Sequence, residues 1–100
     1  MSGSAAGTVL LTHAVGLHAR PSVKLTKLAK TFGASIEFGL SGSGPWIDAK
    51  SIVKVMGAKV PQNAILRFRA TGPDAAEAVR SLIGLVERDF NEDLPDGAIA

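Results

Sequence analysis

The stretch of sequence that decides the fold is GLHARPSVKLTKLAKTFG, residues 16–33. Apolar side chains recur in it at i, i+3, i+4 and i+7, as one face of a helix requires; they are Leu25, Leu28, Ala29 and Phe32. The pattern predicts a helix from Ala19 to about Thr31 that ends before Gly33. Pro21 fits this helix because an N–H in the first turn has no partner within the helix.

Short strands and helices alternate around this helix. Strands are predicted at 8–12, 35–38, 46–48 and 64–70, and a Gly/Ser/Pro turn at 41–45 joins the second strand to the third. Ser51 caps a short helix that Gly57 closes, and a long helix starts at Pro73. The long helix has an apolar stripe of Ala76, Val79, Leu82, Ile83, Val86 and Phe90. The order β-α-β-β-α-β-α predicts an α+β fold with the helices on one face of a mostly antiparallel four-stranded sheet.

Composition limits the classes of protein to consider. One hundred residues, 46% of them hydrophobic and 20% charged, suit one globular domain without a membrane span. No cysteine and two histidines predict neither a metal site nor a cofactor. Residues 1–7 have no signal-peptide pattern, so we expect a cytoplasmic protein with a disordered arm at 1–7, one domain at 8–91 and an acidic flexible tail at 92–100.

Charge is divided unevenly along the chain. Residues 1–70 contain nine basic and two acidic groups, a net charge of +7, whereas residues 71–100 contain two basic and seven acidic groups, a net charge of −5. This asymmetry predicts a basic face that meets an acidic partner, a phosphate or a nucleic acid.

The motif GLHARP at 16–21 is the best candidate for chemistry. It places His18 directly before the first predicted helix and Arg20 in its first turn. The free N–H groups of Ala19 and Arg20, the helix dipole and the guanidinium form a site suited to phosphate. The same dipole disfavours the imidazolium ion, so His18 is predicted to act as a neutral nucleophile. The alternative is that His18 merely caps the helix.

This motif, followed about thirty residues later by KSI at 50–52, closely resembles HPr, the histidine phosphocarrier family of the bacterial phosphotransferase system, over residues 8–90. The resemblance implies an open-faced β-sandwich and no enzymatic turnover of its own. It implies that Nδ1 of His18 accepts a phosphoryl group from phosphoenolpyruvate-charged enzyme I and passes it to A-type enzyme II proteins. Arg20 would support the phosphate, Ser51 would be the target of a serine kinase/phosphorylase, and the apolar docking patch would comprise Ile52, Val53 and Met56.

Two departures from the family pattern affect the docking region. Ala58-Lys59 stands where the family often has Leu-Gly, and Asp48 stands where asparagine is frequent. The run at 70–93 looks more like the nitrogen-type regulatory branch than the sugar branch. Both sugar uptake and regulatory phosphotransfer therefore stay open as the output.

Lysines extend the predicted docking surface. Lys24 and Lys27 follow Arg20 at i+4 and i+7, so the three side chains share one helix face. With Lys50 and Lys54 they predict a basic surface that attracts acidic partners to a monomeric carrier.

A small basic nucleic-acid-binding domain is the second hypothesis. The chain has four Phe, one Trp and no Tyr, and none of them forms the aromatic pair that stacks bases on an exposed strand. Phosphotransfer without nucleic acid or membrane insertion is therefore favoured. We expect His13 to have a structural or surface role and Trp46 to serve in packing.

Overall fold

The computed structural model describes residues 3–12, 19–40, 43–88 and 90. The elements are β1 (Gly3–Leu10), α1 (Ala19–Ala29), β2 (Ser35–Leu40), β3 (Ser43–Asp48), α2 (Ile52–Gly57), β4 (Ile65–Gly72) and α3 (Ala75–Glu87). The predicted order β-α-β-β-α-β-α is confirmed.

The four strands form one antiparallel sheet in the order β1-β4-β2-β3. Strand β4 lies in the middle, where Phe68 pairs with Gly7 of β1 on one side and with Phe38 of β2 on the other. The register between β2 and β3 shifts between Phe38 and Leu40, as at a β-bulge. This sheet with helices on one face confirms the predicted fold class.

The core lies between the inner face of the sheet and the helices. In β4, Leu66, Phe68 and Ala70 are buried, while the residues between them, Arg67 and Arg69, face the opposite side, as the predicted alternation requires. The helices cover these side chains with buried residues of α1 and α3, which include Leu25, Ala29, Val79, Leu82, Leu85 and Val86.

The prediction of a disordered arm at 1–7 is wrong for Gly3 to Gly7, which belong to β1. A β-carbon on Gly7 would lie 2.6 Å from Cδ1 of Ile83 in α3, and Ala5 packs against the core. Small residues are needed here because α3 lies directly on the strand. A run of small residues is also typical of linkers, which is why the sequence did not indicate a strand. The predicted tail at 92–100 lies outside the described residues.

The start of the long helix differs from the prediction because a polar group is required there. The long helix begins at Ala75 rather than at Pro73, so Ala75 and Ala78 are buried and Ala76 is exposed. The Asp74 carboxylate accepts hydrogen bonds from the N–H groups of Gly33 (2.9 Å) and Ala34 (2.8 Å), and these bonds lower the pKa of Asp74 despite its desolvation. Asp74 therefore fixes the turn after α1 to the start of α3.

The predicted turn at 41–45 is shorter in the structure. Strand β3 begins at Ser43 and β2 extends to Leu40, so the two strands are longer than the sequence indicated. Residues 41–42 lie outside the described residues.

Candidate functional site

The N-terminal turn of α1 is the part of the predicted phosphate site that the structure describes. Ala19 and Arg20 open the helix and are exposed, whereas Pro21 and Ser22 are buried and anchor the turn in the protein. The turn contains no acidic residue, and the N–H groups at the start of a helix have no partner within the helix, so this end of α1 is electropositive. His18, the predicted phosphorylation site, and His13 lie outside the described residues.

The outer face of α1 is basic, but its three cationic side chains are not equivalent. Arg20 and Lys27 are exposed. Lys24 is half-buried, and its Nζ donates a 2.8 Å hydrogen bond to the carbonyl oxygen of Phe90. Lys24 therefore holds the chain beyond α3 against α1, a structural role that the sequence pattern did not show.

Ser51 caps α2, as predicted. Its backbone is extended and its Oγ accepts a hydrogen bond from the N–H of Lys54 at 3.3 Å. Gly57 is the last residue of α2, and the left-handed backbone conformation that follows the helix lies at Lys59, with φ 50°. Lys59 is one of the residues at which the sequence departs from the family pattern.

The residues of the predicted apolar docking patch lie on α2. The exposed fraction is 77% for Val53 and 43% for Met56, whereas Ile52 is half-buried. Val55 of the same helix is fully buried and anchors α2 in the core. An α2 with two exposed apolar side chains beside exposed Lys54 has the mixed character of a protein-docking surface.

Lys50 is held at the opposite end of α1 from Arg20. Its Nζ donates a 2.7 Å hydrogen bond to the carbonyl oxygen of Phe32, and its N–H donates to the carboxylate of Asp48 at 2.9 Å. Since α1 has 11 residues, this point lies roughly 16 Å along the helix from its first turn. The predicted basic residues thus spread along α1, and Lys50 serves to join α1 to the start of α2.

Sequence reasoning missed a charged cluster on the open face of the sheet. The guanidinium carbons of Arg67 and Arg69 lie 4.7 Å and 3.8 Å from the centre of the Trp46 ring, and Arg69 pairs with Glu37 at 2.8 Å. Gly39 allows a close approach of β3, because a β-carbon there would lie only 3.1 Å from the Pro45 carbonyl oxygen, whereas its distance of 3.8 Å to Cε3 of Trp46 would be an ordinary contact. The alternation in β4 indicated that both arginines face outward. The position of Trp46 depends on the bulge between β2 and β3, which has no clear sequence signal.

The aromatic residues do not offer a platform for nucleic-acid bases. All five are described: Phe38, Phe68 and Phe90 are buried, and Phe32 is half-buried. Trp46 is half-buried with two guanidinium groups against its ring. Nothing in the described part of the chain supports the nucleic-acid hypothesis.

Metal sites and membrane-spanning helices are two further features that bear on function. Residues 3–12, 19–40, 43–88 and 90 contain no group of three or more His, Cys, Asp or Glu side chains that could hold a metal ion. No helix within these ranges has the length and apolar character needed to cross a membrane.

Comparison with known proteins gives the family. The family described as "PTS HPr component phosphorylation site" matches residues 6–88. The chain belongs to the HPr family. It is 38% identical over 78 residues to the phosphocarrier protein HPr of Cupriavidus necator, a match that covers 78% of this chain and 85% of that protein. It is 31% identical over 86 residues to the phosphocarrier protein NPr of Escherichia coli K12, with 86% of this chain and 94% of that protein covered.

Longer proteins and a solved structure extend this comparison. A multiphosphoryl transfer protein of Vibrio cholerae is 41% identical over 76 residues, but these are 75% of this chain and only 19% of that protein. The crystal structure of HPr from Thermoanaerobacter tengcongensis matches with a TM-score of 0.80 at 31% identity, and covers 88% of this chain and 97% of that one. The chain therefore has the HPr fold and is a phosphoryl carrier of the phosphotransferase system, whose proteins are its partners.

Lys50 and Lys54 lie in different environments, so their substitution should affect the free energy of unfolding differently. Lys50→Met removes the hydrogen bond to Phe32 and should lower the free energy of unfolding by about 1 kcal/mol. Lys54→Met, at an exposed position of α2, should change it by less than about 0.5 kcal/mol. Urea unfolding followed by circular dichroism measures both. Equal effects of the two substitutions would show that the Lys50 contact does not stabilise the fold.

Proposed function

We propose that His18 carries the phosphoryl group, that it receives the group from phosphoenolpyruvate-charged enzyme I, and that it passes the group to A-type enzyme II proteins. The observation that carries this proposal is the start of α1 at Ala19, directly after the histidine of the GLHARP motif. Exposed Arg20 in the first turn and the absence of acidic residues there favour an anionic group at this end of the helix.

The transfer is a substitution at phosphorus. A lone pair on the His18 imidazole forms the nitrogen–phosphorus bond while the bond from phosphorus to the donor breaks and its electron pair stays with the donor. The phosphoryl oxygens can accept hydrogen bonds from the N–H groups of Ala19 and Arg20, and the Arg20 guanidinium adds positive charge. In the second transfer a nucleophile of the acceptor attacks the phosphorus, and the nitrogen–phosphorus bond breaks with its electron pair left on His18, so the carrier is regenerated.

The docking part of the proposal uses side chains that remain exposed. Arg20 and Lys27 on α1 and Lys54 on α2 are exposed cations, and Val53 and Met56 supply apolar surface. Such a surface suits partners with acidic groups around an apolar centre, because opposite charges speed encounter and apolar contact stabilises the complex. Lys24 and Lys50 contribute mainly by holding α1 in place.

The proposal covers the phosphoryl transfer that both branches of the family share. Relatives named HPr and NPr each match most of this chain, and the output, sugar uptake or regulation, depends on the acceptor. A cytoplasmic location and a monomeric state stay predictions from the sequence.

The direct test is phosphorylation by an active enzyme I in the presence of phosphoenolpyruvate. Intact-mass measurement should show one added, acid-labile phosphate on the wild type and on His13→Ala, and none on His18→Ala. Because Arg20 is expected to act through charge on the phosphoryl group, Arg20→Ala should accept phosphate more slowly but to the same final extent. Phosphorylation of His18→Ala, or an unmodified wild type, would refute the proposal.

We also propose Ser51 as a regulatory phosphorylation site. Its hydroxyl lies at the start of α2, where an anion is favoured by the helix end, and it is followed by the exposed residues Val53 and Lys54. A phosphate there would add a charge of roughly −1.5 to −2 beside the docking surface. This charge would repel an acidic partner and slow its encounter with the carrier.

Ser51→Asp separates the two roles of this residue. Aspartate is a good N-cap, so the free energy of unfolding should change by less than about 1 kcal/mol, while the rate of phosphorylation by enzyme I should fall severalfold at low salt. Thr71→Asp adds the same charge on the open face of the sheet and should leave the rate unchanged. If Ser51→Asp accepts phosphate as fast as the wild type, Ser51 is only a helix cap.

A further inference from the structure

The open face of the sheet contains two arginines of β4, of which only one is paired with a carboxylate in the described part of the chain. Nε and Nη2 of Arg69 each lie 2.8 Å from Oε1 of Glu37, which offsets the charge of this guanidinium. The half-buried side chain of Arg67 lies over the Trp46 ring and has neither an ion pair nor a hydrogen bond with the described residues. Its N–H groups are therefore held in place and available to an anion.

Two exposed apolar side chains lie next to this arginine on the same face. Leu10 of β1 and Ile65 of β4 are directly paired, and their exposed fractions are 48% and 49%. The next pair on this face is Thr8 with Arg67, since side chains on one face of a strand recur at every second residue. The apolar pair and the unpaired cation are thus about 6.7 Å apart along β4. We call the group the open-face site: Thr8, Leu10, Ile65 and Arg67, with Trp46.

Two adjoining depressions follow the open-face site. Thr8 lines both of them, one of about 460 Å³ beside Arg67 and one of about 550 Å³ at the apolar pair. Strand β1 has no charged side chain along its length, so this side of the site does not offset the charge of Arg67. Glu87 lines the apolar depression. A bound carboxylate is therefore attracted to Arg67 and repelled from the apolar end, which gives a ligand one direction.

We propose that the open-face site binds an extended acidic segment of a partner protein. In an extended chain the side chains i and i+2 point the same way and are about 6.7 Å apart. An apolar side chain of the segment then lies on Leu10 and Ile65 while a carboxylate two residues away binds the Arg67 guanidinium through charge-assisted hydrogen bonds. Arginine and tryptophan are also the residue types that contribute most to protein interfaces.

The open-face site is separate from the docking surface of the proposed function. Helices α1 and α2 pack with the core on the other face of the sheet, to which Leu66, Phe68 and Ala70 of β4 point. A segment bound on the open face leaves both helices accessible, so the protein can bind two partners at the same time. The inference uses neither His18 nor any residue of α1 or α2, and it therefore stands or falls independently of the phosphoryl transfer.

Amide NMR of the full chain, titrated with a blocked peptide of sequence Thr-Leu-Thr-Glu-Thr, tests the proposal. Signals of Thr8, Ile65 and Arg67 should shift, as should the indole N–H of Trp46, the single tryptophan of the chain, whereas Arg20 should not. A peptide of the same composition in the order Thr-Leu-Glu-Thr-Thr should bind at least about fivefold more weakly, because adjacent side chains of an extended chain point to opposite faces. Equal affinity for both peptides, or shifts confined to α1 and α2, would overturn the proposal.

Substitutions in the protein test the two contacts separately. Arg67→Gln should weaken binding of the first peptide at least about tenfold at low salt, and Arg67→Lys should restore part of the affinity. Leu10→Ser leaves the arginine in place and should weaken binding at least about threefold. Arg80→Gln removes the same charge at an exposed position of α3 and should bind as the wild type does.

Circular dichroism checks that each variant is folded. Unchanged affinity in Arg67→Gln or in Leu10→Ser would overturn the proposal, and so would an equal loss in Arg80→Gln. If Arg67→Gln does not fold, Leu10→Ser and the pair of peptides still decide the question.

Inorganic phosphate and a second copy of the chain are the other possible occupants. Phosphate at the concentration of the peptide should shift the Thr8 and Arg67 signals less than the peptide does, because it has no apolar group for Leu10 and Ile65. In the absence of peptide these signals should not depend on protein concentration. Equal or tighter binding of phosphate would assign the site to small anions, and a dependence on protein concentration would assign it to self-association. Either result would overturn the proposal.

Discussion

The sheet depends on two phenylalanine side chains that face each other across its central strands. Phe38 of β2 pairs with Phe68 of β4, both are fully buried, and their rings lie 6.1 Å apart with a 42° tilt. Because side chains alternate along a strand, this pair fixes which face of both strands is apolar and therefore where the helices must pack. Burying two phenylalanines supplies several kcal/mol. A one-residue slip of β2 against β4 would turn the side chains of the shifted strand to the other face and expose its phenylalanine.

The position of α1 follows from this choice of face and is reinforced by contacts at several points. Pro21, Leu25 and Ala29 of α1 are buried on the side of the helix that faces the protein interior. Lys24 joins its middle to Phe90, and Lys50 joins its C-terminal end to the start of α2. The turn after α1 is tied to the start of α3 by Asp74. The phosphoryl transfer proposed for His18 gains from a helix held in this way, since the N–H groups of the first turn keep a fixed direction.

Much of this fold could be predicted from short-range patterns. The periodicity of α1 and the alternation in β4 each extend over enough residues to be unambiguous, and Ser51 is a cap for reasons local to its own turn. The first half of β1, Gly3 to Gly7, was missed because the small residues that let α3 lie close to Gly7 look like a linker. The roles of Lys24 and Lys50 could not be predicted, since their carbonyl partners lie 66 and 18 residues away in the chain.

For the site, the GLHARP motif is continuous in sequence, and so the role proposed for His18 follows from neighbouring residues alone. The cluster around Trp46 could not be predicted in this way, because it depends on the register of three strands, β2, β3 and β4.

The central claim is that His18 carries the phosphoryl group in transit between two proteins of the phosphotransferase system. The most direct measurement is phosphorus–nitrogen correlation NMR on protein with ¹⁵N-labelled histidine, recorded after phosphorylation by enzyme I and again after addition of an A-type enzyme II acceptor. The account predicts one phosphorus signal coupled to Nδ1 of His18, which disappears when the acceptor takes the phosphate. A phosphorus signal coupled to the His13 ring, or one without coupling to any imidazole nitrogen, would contradict it.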